Sequence, residues 1–466
     1  MSALDLSMLA PHALAARSLL AGETGIEAAG YLLFGRSNIA KDPWSLTPRT
    51  RYVSRDFIPI PGEDFVDASE THIRWKTAGF MCLLTDARNA NAIPAIIHTH
   101  PNGRAVFSAQ DDKNEAMLAR TVAIKGLPGL ISIVIDGAGI MTARVWRDQN
   151  QFEMIDEISE IGRRLSFPIR AYQHAGPCDA LDRQARLFGE VFNRTISGLR
   201  VGVCGGGATG SATMAMLNRL GVGRLLMIDK DRIETTNLNR VHGAHLSDVE
   251  NGLHKVDLAE REIEASGLGA HFVGLKAWAG DHETWDALKS CDVIFGCTDD
   301  HGGRLFLNRF AHYYGIPVID MGLRMRPRGG ESVDVSGRVS TLVPGHACLL
   351  CQNVIDPQLA AEDGLKRGDP HQYERLKAEA YVKGGGDPAP AVVTFTSEIA
   401  SVAVNELIAG ITGFQGSAGM HARRTRRFHA CDDRFPQNIP RAGCPLCDTN
   451  EKLGLADCDP FLEMVI

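Results

Sequence analysis

Two histidines separated by a single residue, His98 and His100, follow an apolar run and have the spacing of a metal-binding pair. Side chains alternate along an extended strand, so both imidazoles point to one face. Asp111 follows after ten intervening residues, and two imidazoles with one carboxylate leave a fourth zinc position open for water. Glu27 is a candidate base for that water, and the Ser108 hydroxyl is a candidate donor to an oxyanion. The pattern predicts zinc-dependent hydrolysis.

A glycine cluster predicts a second kind of chemistry. It follows an apolar run that ends at Cys204, it precedes a helical pattern that reaches Leu220, and the next apolar run ends at Asp229. Glycines let phosphate approach the backbone, a helix N-terminus offers N–H groups, and the acid suits a ribose hydroxyl. The residues predicted to bind a nucleotide in this way are Gly205, Gly207, Gly210 and Asp229.

The polar residues beyond Asp229 indicate which nucleotide is bound. Asn237 and Arg240 follow closely, and Lys255 comes next. A nicotinamide enzyme does not need these groups, whereas a triphosphate needs cations as its charge develops in the transition state. Asp299 follows a further predicted strand, where a carboxylate can hold magnesium. We therefore expect ATP and Mg²⁺.

Four of the eleven cysteines form two C-x-x-C pairs, Cys348 with Cys351 and Cys444 with Cys447. Four thiolates in two such pairs suit a closed, tetrahedral zinc site that has a structural role. The alternative is a set of redox-active or merely buried cysteines. We expect one structural zinc here, in addition to the catalytic zinc.

Composition limits the remaining possibilities. A chain of 466 residues is too long for one typical core, so two or three domains are expected. The net charge of −7, without a basic block, argues against nucleic acid or an anionic membrane as a partner. The sequence has neither an apolar run of the ~20 residues that a membrane helix needs nor a signal-peptide pattern. We expect a cytoplasmic protein.

The fold class that must position these residues is α/β. In the N-terminal part we predict a helix over residues 1–22 and strands over 92–97, 130–135 and 140–146. Apolar residues spaced by three and four predict a further helix over 150–165. The domain boundary is expected between Ser166 and Asp179. Around the glycine cluster we predict a mostly parallel, Rossmann-like sheet, with strands and a packed helix at 199–204, 224–228, 293–296, 317–321 and 394–412.

The motifs E-x-x-G, H-x-H-P and S-x-x-D, in this order, resemble the JAB/MPN (JAMM) metalloprotease family. That family includes deubiquitinating enzymes and prokaryotic relatives that cut ubiquitin-like or sulfur-carrier proteins. The resemblance implies an α+β domain in which His98, His100 and Asp111 ligate zinc. It also implies that Glu27 is the base and that Ser108 stabilises the oxyanion. The alternative is an inactive scaffold, but inactive relatives typically lose a histidine or the aspartate, and none is lost here.

The segment from about Asp182 to Ile411 resembles the ThiF/MoeB and ubiquitin-activating adenylyltransferase superfamily. The resemblance rests on D-R-Q-x-x-L-F-G, the glycine cluster, D-x-D-x-I-x-x-x-N-L-N-R, a following lysine and C-T-D-D. In that superfamily a C-terminal glycine carboxylate attacks the α-phosphate of ATP, and pyrophosphate leaves. The resemblance implies that Asp229 contacts the ribose and that Asn237, Arg240 and Lys255 contact the phosphates. It also implies that Asp299 binds magnesium.

The same resemblance implies further properties. Arg183 matches an arginine that reaches the ATP of the other subunit, which implies a homodimer. The superfamily also carries a four-cysteine zinc site with long-range pairing. Many members form a thioester on their own cysteine, but residues 352–430 contain none. Cys431 and Cys458 are weak candidates, so we expect transfer to a separate conjugating enzyme or another thiol acceptor.

These inferences combine into a predicted fused enzyme. Its parts are a JAB/MPN zinc metalloprotease domain (1–150), a helical connector (151–178), a ThiF-type adenylation domain (179–430) and a C-terminal segment that completes the four-cysteine site (431–466). The expected activity is adenylation of a ubiquitin-like protein's C-terminus, together with cleavage of its precursors or conjugates, as in bacterial ubiquitin-like conjugation. Two alternatives stay open: a sulfur-carrier enzyme of cofactor or metabolite biosynthesis, and a non-catalytic sensor of ATP and a peptide tail.

Overall fold

A computed structural model describes residues 3–21, 25–70, 73–170, 178–327, 333–378, 390–436, 439–449 and 451–464. Within these ranges the chain forms a nine-stranded sheet, an eight-stranded sheet and a separate two-stranded hairpin. None of the helices described is long and apolar enough to cross a membrane. The α/β fold class is confirmed.

The N-terminal half is built on the nine-stranded sheet. The strands of this half are β1 (Ala3–Leu9), β2 (Ala29–Ile39), β3 (Arg49–Pro59), β4 (Phe65–Ala68), β5 (Ile73–Trp75), β6 (Ile93–His100), β7 (Leu130–Asp136), β8 (Met141–Trp146), β9 (Phe152–Met154), β10 (Glu157–Ile161) and β11 (Leu165–Ser166). Strands β4 and β5 form the hairpin, and the others have the order β11-β10-β1-β3-β2-β6-β7-β8-β9. The packed helices are α1 (Ala10–Ser18), α2 (Thr77–Asn89) and α3 (Ala109–Ile124).

The apolar run of β2 explains why this sheet is covered on both faces. Leu32 and Phe34 belong to one buried cluster, and Tyr31 and Leu33 belong to another that includes Phe80 of α2. Successive side chains of a strand point to opposite faces, so a continuous apolar run requires two cores. The strand is thereby fixed between two layers, and it supports β6, its neighbour in the sheet.

Of the two helices predicted in the N-terminal half, the first is confirmed only over residues 10–18 and the second is wrong. Residues 3–9 form β1, and the helix begins only at Ala10, with Pro11 in its first turn, where proline is tolerated. Residues 152–166 form β9, β10 and β11. Strand β10 pairs in parallel with β1, about 150 residues earlier in the chain. The predicted helical connector is therefore largely part of the N-terminal sheet.

The C-terminal half is built on the eight-stranded sheet. Its strands are β12 (Arg200–Cys204), β13 (Arg224–Ile228), β14 (His271–Leu275), β15 (Val293–Gly296), β16 (Val318–Pro327), β17 (Val333–Leu342), β18 (Arg423–Arg427) and β19 (Asp432–Arg434). They have the order β14-β13-β12-β15-β16-β17-β18-β19, parallel from β14 to β16 and antiparallel beyond. The strands and the long helix predicted around the glycine cluster all form.

The helices of this half follow in chain order. They are α4 (Asp182–Phe188), α5 (Glu190–Gly198), α6 (Ala208–Leu220), α7 (Leu246–Glu250), α8 (Lys255–Ser266), α9 (Trp285–Ser290), α10 (His301–Tyr314), α11 (Pro357–Gly368), α12 (Pro370–Ala378) and α13 (Val393–Thr412). Helices α6 and α13 pack against each other, and α13 also covers β16 and β17. This arrangement leaves the carboxyl ends of the parallel strands for the loops that carry the nucleotide motifs.

Buried charged side chains join the two halves. Arg170 donates to Glu157 over 2.7 Å and forms a two-pronged ion pair with Asp292, which lies just before β15. Arg51 of β3 donates to the backbone carbonyl of Cys291 over 2.8 Å. Burial would raise the pKa of Asp292, but Arg170 and the other nearby arginines outweigh it and hold the pKa well below its usual range. The interface therefore relies on matched buried charges.

Candidate functional site

The histidine pair lies at the carboxyl end of β6. His98 stands opposite Ala29 of β2 in the sheet, and His100 is the last residue of its strand. Their Nε2 atoms are 3.2 Å apart, and His100 Nδ1 lies 3.2 Å from the carbonyl oxygen of Arg104. Because the strand alternates, both rings face one side, as predicted.

Asp111 joins this pair through the first turn of α3. Its Oδ1 is 3.3 Å from His98 Nε2, and its Oδ2 is 3.9 Å from His100 Nε2. Ser108 caps the helix by accepting the Asp111 N–H, while Asp111 Oδ2 accepts the Ser108 N–H over 2.6 Å. Burial would raise the pKa of Asp111, but His98 and Ser108 outweigh it and hold the pKa well below its usual range. The helix cap thus orients the carboxylate toward the histidines.

Glu27 precedes β2 and lies beside the same cluster. Its Oε1 is 3.8 Å from His100 Nε2, and its side chain is buried. The backbone around it is fixed because Ala28 and Thr99 exchange hydrogen bonds of 2.8 and 2.9 Å. The cluster opens into a cleft of about 900 Å³ that Ser108 also lines and that the β4–β5 hairpin flanks. All five predicted residues therefore come together.

The donor sets fit zinc by their chemistry and spacing. The ligand atoms of His98, His100 and Asp111 all lie within 4.8 Å of one another. A tetrahedral zinc with bonds of about 2.0–2.1 Å to nitrogen and oxygen needs ligand separations of about 3.3 Å. Two of the three distances, 3.2 and 3.3 Å, have this value. The N-terminal cluster can therefore hold the ion with little movement.

The four cysteines also come together, from two distant parts of the chain. Cys348 Sγ is 3.7 Å from Cys444 Sγ, and Cys351 Sγ is 3.5 Å from Cys447 Sγ. The Sγ atoms of Cys444 and Cys447 are 3.6 Å apart. Zinc–sulfur bonds of about 2.3 Å give sulfur separations of about 3.8 Å in a tetrahedron. The set thus fits a closed zinc site, as predicted.

The glycine cluster lies where the order of the parallel strands reverses. Strand β12 has β13 on one side and β15 on the other, and ligands of open α/β sheets bind at such a point. Gly205 has a φ of +99°, and a Cβ on it would lie 2.7 Å from the carbonyl oxygen of Cys297. A Cβ on Gly210 would lie 1.8 Å from the Gly205 carbonyl oxygen. Only glycine fits at both positions. Helix α6 starts at this loop, and its N-terminus faces the crevice at the carboxyl ends of β12 and β15.

Asp229 ends β13 beside this loop. Its Oδ2 accepts the Gly206 N–H over 2.6 Å, and its Oδ1 accepts the Asp231 N–H over 2.7 Å. Lys255 Nζ lies 2.8 Å from Asp231 Oδ2 and 3.7 Å from Asp229 Oδ2. Burial raises the pKa of Asp229 against the opposing charge of Lys255. Asp231, which sequence reasoning did not single out, therefore holds the predicted phosphate-binding lysine.

Asn237 and Arg240 lie in the loop between β13 and α7. Asn237 is buried, and its side chain accepts the Glu234 N–H over 3.2 Å, so it does cap a turn. Arg240 hydrogen-bonds the Thr236 carbonyl of the same loop. The loop then returns to α6, where the His242 N–H donates to Ser211 Oγ over 3.1 Å. A function for Asn237 and Arg240 in phosphate binding stays a prediction.

A cavity of about 260 Å³ adjoins the glycine loop, between α6 and α8. Gly206, Ser211, Met227, His242 and Lys255 are among its lining residues. Its lining is partly apolar and partly polar, as in sites that bind small molecules. Sequence reasoning left His242 unassigned, because a lone histidine in a loop carries no signal of what the fold brings beside it.

The two aspartates after β15 have different surroundings. Asp300 caps α10 by accepting the Gly303 N–H over 2.9 Å, and it also pairs with Arg367 of α11 over 3.2 Å. Asp299 is exposed. Burial would lower the pKa of Lys255, but Asp229, Asp231 and, to a smaller extent, Asp299 outweigh it and raise that pKa. Asp299 is thus the one of the two whose charge acts on Lys255 beside the glycine loop, and magnesium binding by Asp299 stays a prediction.

Arg183 is separated from this crevice within its own chain. It lies on α4, where the neighbouring Gln184 donates to the carbonyl of Leu220 over 2.9 Å. Leu220 is the last residue of α6, whereas the glycine loop is at its first, and thirteen helical residues span about 20 Å. Arg183 is exposed there. The structure therefore does not bring it to the glycine loop of the same subunit.

Comparison with known proteins supports the division of the chain into two halves of different families. Residues 9–149 match the family described as prokaryotic homologs of the JAB domain, and residues 181–447 match the ThiF family. The curated relatives include the sulfur carrier protein ThiS adenylyltransferase of Bacillus subtilis, 29% identical over 33% of this chain. Ubiquitin-like modifier-activating enzyme 5 of Rattus norvegicus is 24% identical over 53% of the chain, and the SAMP-activating enzyme E1 of Haloferax volcanii is 26% identical over 33%. The alignments cover 43%, 57% and 52% of these relatives, so the chain spans about half the length of each.

Proposed function

Because this chain belongs to the ThiF family and also carries a JAB-type domain, we propose that it is a two-site enzyme acting on the C-terminal tail of a small β-grasp protein. The C-terminal half would adenylate the terminal carboxylate with ATP. The N-terminal half would cleave precursors or conjugates of the same protein. We assign residues up to about 170 to the peptidase half, because the strands at 152–166 complete its sheet.

The adenylation half is supported by the contacts of Asp229. This carboxylate lies at the carboxyl end of β13, receives the Gly206 N–H, and has Lys255 within 3.7 Å. In the proposed reaction a carboxylate oxygen of the tail attacks the α-phosphorus of ATP. The bond to the bridging oxygen breaks, and pyrophosphate leaves with the electron pair. Lys255 and the amides at the start of α6 would hold the phosphates, and magnesium on Asp299 would neutralise their charge.

The peptidase half is supported by the distance of 3.8 Å between Glu27 and His100. Glu27 would take a proton from the attacking water and pass it to the leaving amine. The Ser108 oxygen accepts the Asp111 N–H, which leaves its own O–H as a donor, and this O–H would donate to the developing oxyanion. Zinc, held by the two histidines and Asp111, would supply Lewis acidity to the water and the carbonyl.

Two substitutions separate the activities. The full-length protein is incubated with ATP and a panel of small β-grasp proteins that end in glycine, and ATP–pyrophosphate exchange and tail cleavage are measured. We expect Asp299→Ala to abolish exchange and leave cleavage, and Glu27→Ala to do the reverse. Glu283→Ala, an exposed acid of the C-terminal half, is the control and changes neither. Exchange with none of the carriers would refute adenylation, and loss of both activities from one substitution in a folded protein would refute two independent sites.

A sulfur-carrier protein is the second candidate for the substrate. The similarity to an adenylyltransferase named for a sulfur carrier supports it. The absence of cysteine from residues 352–430 favours an external sulfur acceptor and is compatible with either substrate. Intact-mass analysis separates the two. A thiocarboxylate on the carrier after addition of a sulfurtransferase indicates sulfur transfer, and a thioester on a conjugating enzyme indicates protein conjugation.

A further inference from the structure

A group of arginines lies beside the loop that carries Asp299, and the proposed reaction does not use them. Arg304 of α10 donates to the carbonyl of Thr298 over 2.7 Å. Arg338 of β17 and Arg423 of β18 lie on the same face of the sheet as each other, because they are two positions apart in register. We call Arg304, Arg338 and Arg423 the arginine cluster.

One buried carboxylate lies between two of these guanidinium groups, and Arg423 lies close enough to Arg338 for the two charges to repel each other. Asp320 is fully buried, with Oδ1 2.5 Å from Arg338 Nη2 and Oδ2 3.8 Å from Arg304 Nε. A Cβ on Gly322 would lie 3.2 Å from Arg338 Nη2 and 3.5 Å from Arg304 Nη2, so the absent side chain leaves room for both groups side by side. Burial and the positive charge of Arg304 lower the pKa of Arg338, and the negative charge of Asp320 only partly offsets them. The cluster thus carries three positive charges on one negative charge.

Hydrogen bonds fix the far end of the cluster. Arg338 Nη1 donates to Ser340 Oγ over 2.9 Å, and Ser340 in turn donates to Gln352 Oε1 over 2.6 Å. Arg423 Nη1 donates to the Gln352 carbonyl over 3.1 Å. The side chains of Arg304 and Arg338 are only 14% and 12% exposed. Guanidinium groups that are already held by hydrogen bonds lose little conformational entropy when they bind an anion. Two parallel N–H groups of a guanidinium match the two oxygens of a carboxylate.

The distance across the sheet indicates which carboxylate fits. Arg423 on β18 is three strands away from β15, the strand that leads to Asp299. Strands lie about 4.8 Å apart, so the span is about 14 Å, and an extended peptide covers it with about four residues. A tail whose terminal carboxylate is at Asp299 would therefore place the residue four positions before its last one over Arg423, the member of the cluster farthest from Asp299.

We propose that the arginine cluster binds an acidic side chain about four residues before the C-terminus of the tail that is adenylated. The inference rests on the proposed adenylation activity and defines its substrate: a carrier with a glutamate or aspartate just upstream of its terminal glycines. The buried excess of positive charge selects against neutral tails and more strongly against basic tails at this position.

Labelled peptides test the subsite on the full-length protein. Three fluorescein-labelled decapeptides end in Gly-Gly and carry Glu, Gln or Lys four residues before the end, and a fourth is the Glu peptide with an amidated terminus. Binding is followed by fluorescence anisotropy, and adenylation by ATP–pyrophosphate exchange. We expect the Glu peptide to bind about tenfold more tightly than the Gln peptide. Arg423→Glu should reverse the preference in favour of Lys.

Arg426→Gln is the matched control, because it lies on the same strand but faces the other side of the sheet, where it pairs with Glu398 over 3.0 Å. A double variant, Asp320→Asn with Arg338→Gln, removes the second arginine without leaving a buried carboxylate unpaired. Arg423→Glu should reverse the preference for the Glu peptide, the double change should abolish it, and the control should keep it.

The outcomes separate this inference from the proposed function. Equal binding of the Glu and Gln peptides overturns the subsite, and loss of binding on amidation alone assigns the cluster to the terminal carboxylate instead. A raised KM for ATP in Arg423→Glu, with peptide preference unchanged, would assign it to phosphate. Arginine-dependent preference without any pyrophosphate exchange would leave the subsite standing and refute adenylation.

Discussion

The backbone N–H of Asn38, in the N-terminal sheet, donates to Oδ2 of Asp457, near the end of the chain, over 2.7 Å. The other oxygen of Asp457 accepts the Tyr314 hydroxyl of α10 over 2.9 Å. Nearby, the Ala456 N–H donates to the Tyr313 carbonyl over 2.7 Å. The segment 451–464 therefore connects the second cysteine pair to the N-terminal half, and it couples the stability of both halves.

Removal of the Asp457 carboxylate tests this coupling. Asp457→Ala leaves the buried Tyr314 hydroxyl without its acceptor, which costs about 1–3 kcal/mol, whereas the exposed Asn38 N–H can bond water and loses less. We expect the thermal unfolding midpoint measured by circular dichroism to fall by several degrees. Glu451→Ala, an exposed acid of the same segment, should leave the midpoint unchanged. Equal midpoints for both variants would contradict the coupling.

Zinc content distinguishes the two metal sites. Mass spectrometry of the purified protein should find about two zinc ions per chain, and about one in Cys444→Ser or in His98→Ala. Only Cys444→Ser should also lower the thermal midpoint, because it releases the segment that runs from Cys447 toward Asn38. Cys431→Ser, an exposed cysteine outside both sites, is the control. Two zinc ions retained in Cys444→Ser would rule out the four-cysteine site.

The buried ion pairs between the halves predict how stability depends on pH. The pKa values of Asp292 and Glu157 are both lowered, against the effect of burial, by Arg170 and neighbouring arginines. Their contribution is therefore fully present above the unfolded-state values near pH 4 and is lost as pH falls through the lower folded-state values. Asp292→Asn, which leaves Arg170 buried without its partner, should cost about 3–5 kcal/mol in urea unfolding at pH 7.

The loss of stability at acid pH should be smaller in Asp292→Asn than in the unsubstituted protein, because one titrating group has been removed. Asp459→Asn, at an exposed position, serves as the reference substitution. Identical pH profiles for the Asp292 variant and the unsubstituted protein would show that the interface charges do not control acid stability.

Complementation tests whether Arg183 acts in the partner subunit. Arg183→Ala and Asp299→Ala should each lack pyrophosphate exchange. If Arg183 serves the site of the other subunit, subunit exchange between the two variants restores one complete site in each mixed dimer, and about a quarter of the original activity returns. Sedimentation checks the dimer in parallel. A mixture that stays inactive although mixed dimers form would contradict action in trans.

Much of both candidate sites follows from local sequence. A metal site needs particular ligand types at particular spacings along a strand or helix, so His98, His100 and Asp111 are recognisable before any fold is known. The same holds for the glycine loop, since the strand that ends at Cys204 and the strand that ends at Ile228 are short apolar runs bounded by glycine or acid.

Contacts between distant segments were decided only by the tertiary structure. Residues 157–161 carry apolar spacing that suits a helix, yet they form a strand because their hydrogen-bonding partner is β1, about 150 residues away. The arginine cluster likewise draws on α10, β17 and β18, and only the register of the sheet brings its charges together. Periodicity reports the preference of a segment by itself, whereas backbone pairing and buried charge depend on which neighbour the fold supplies.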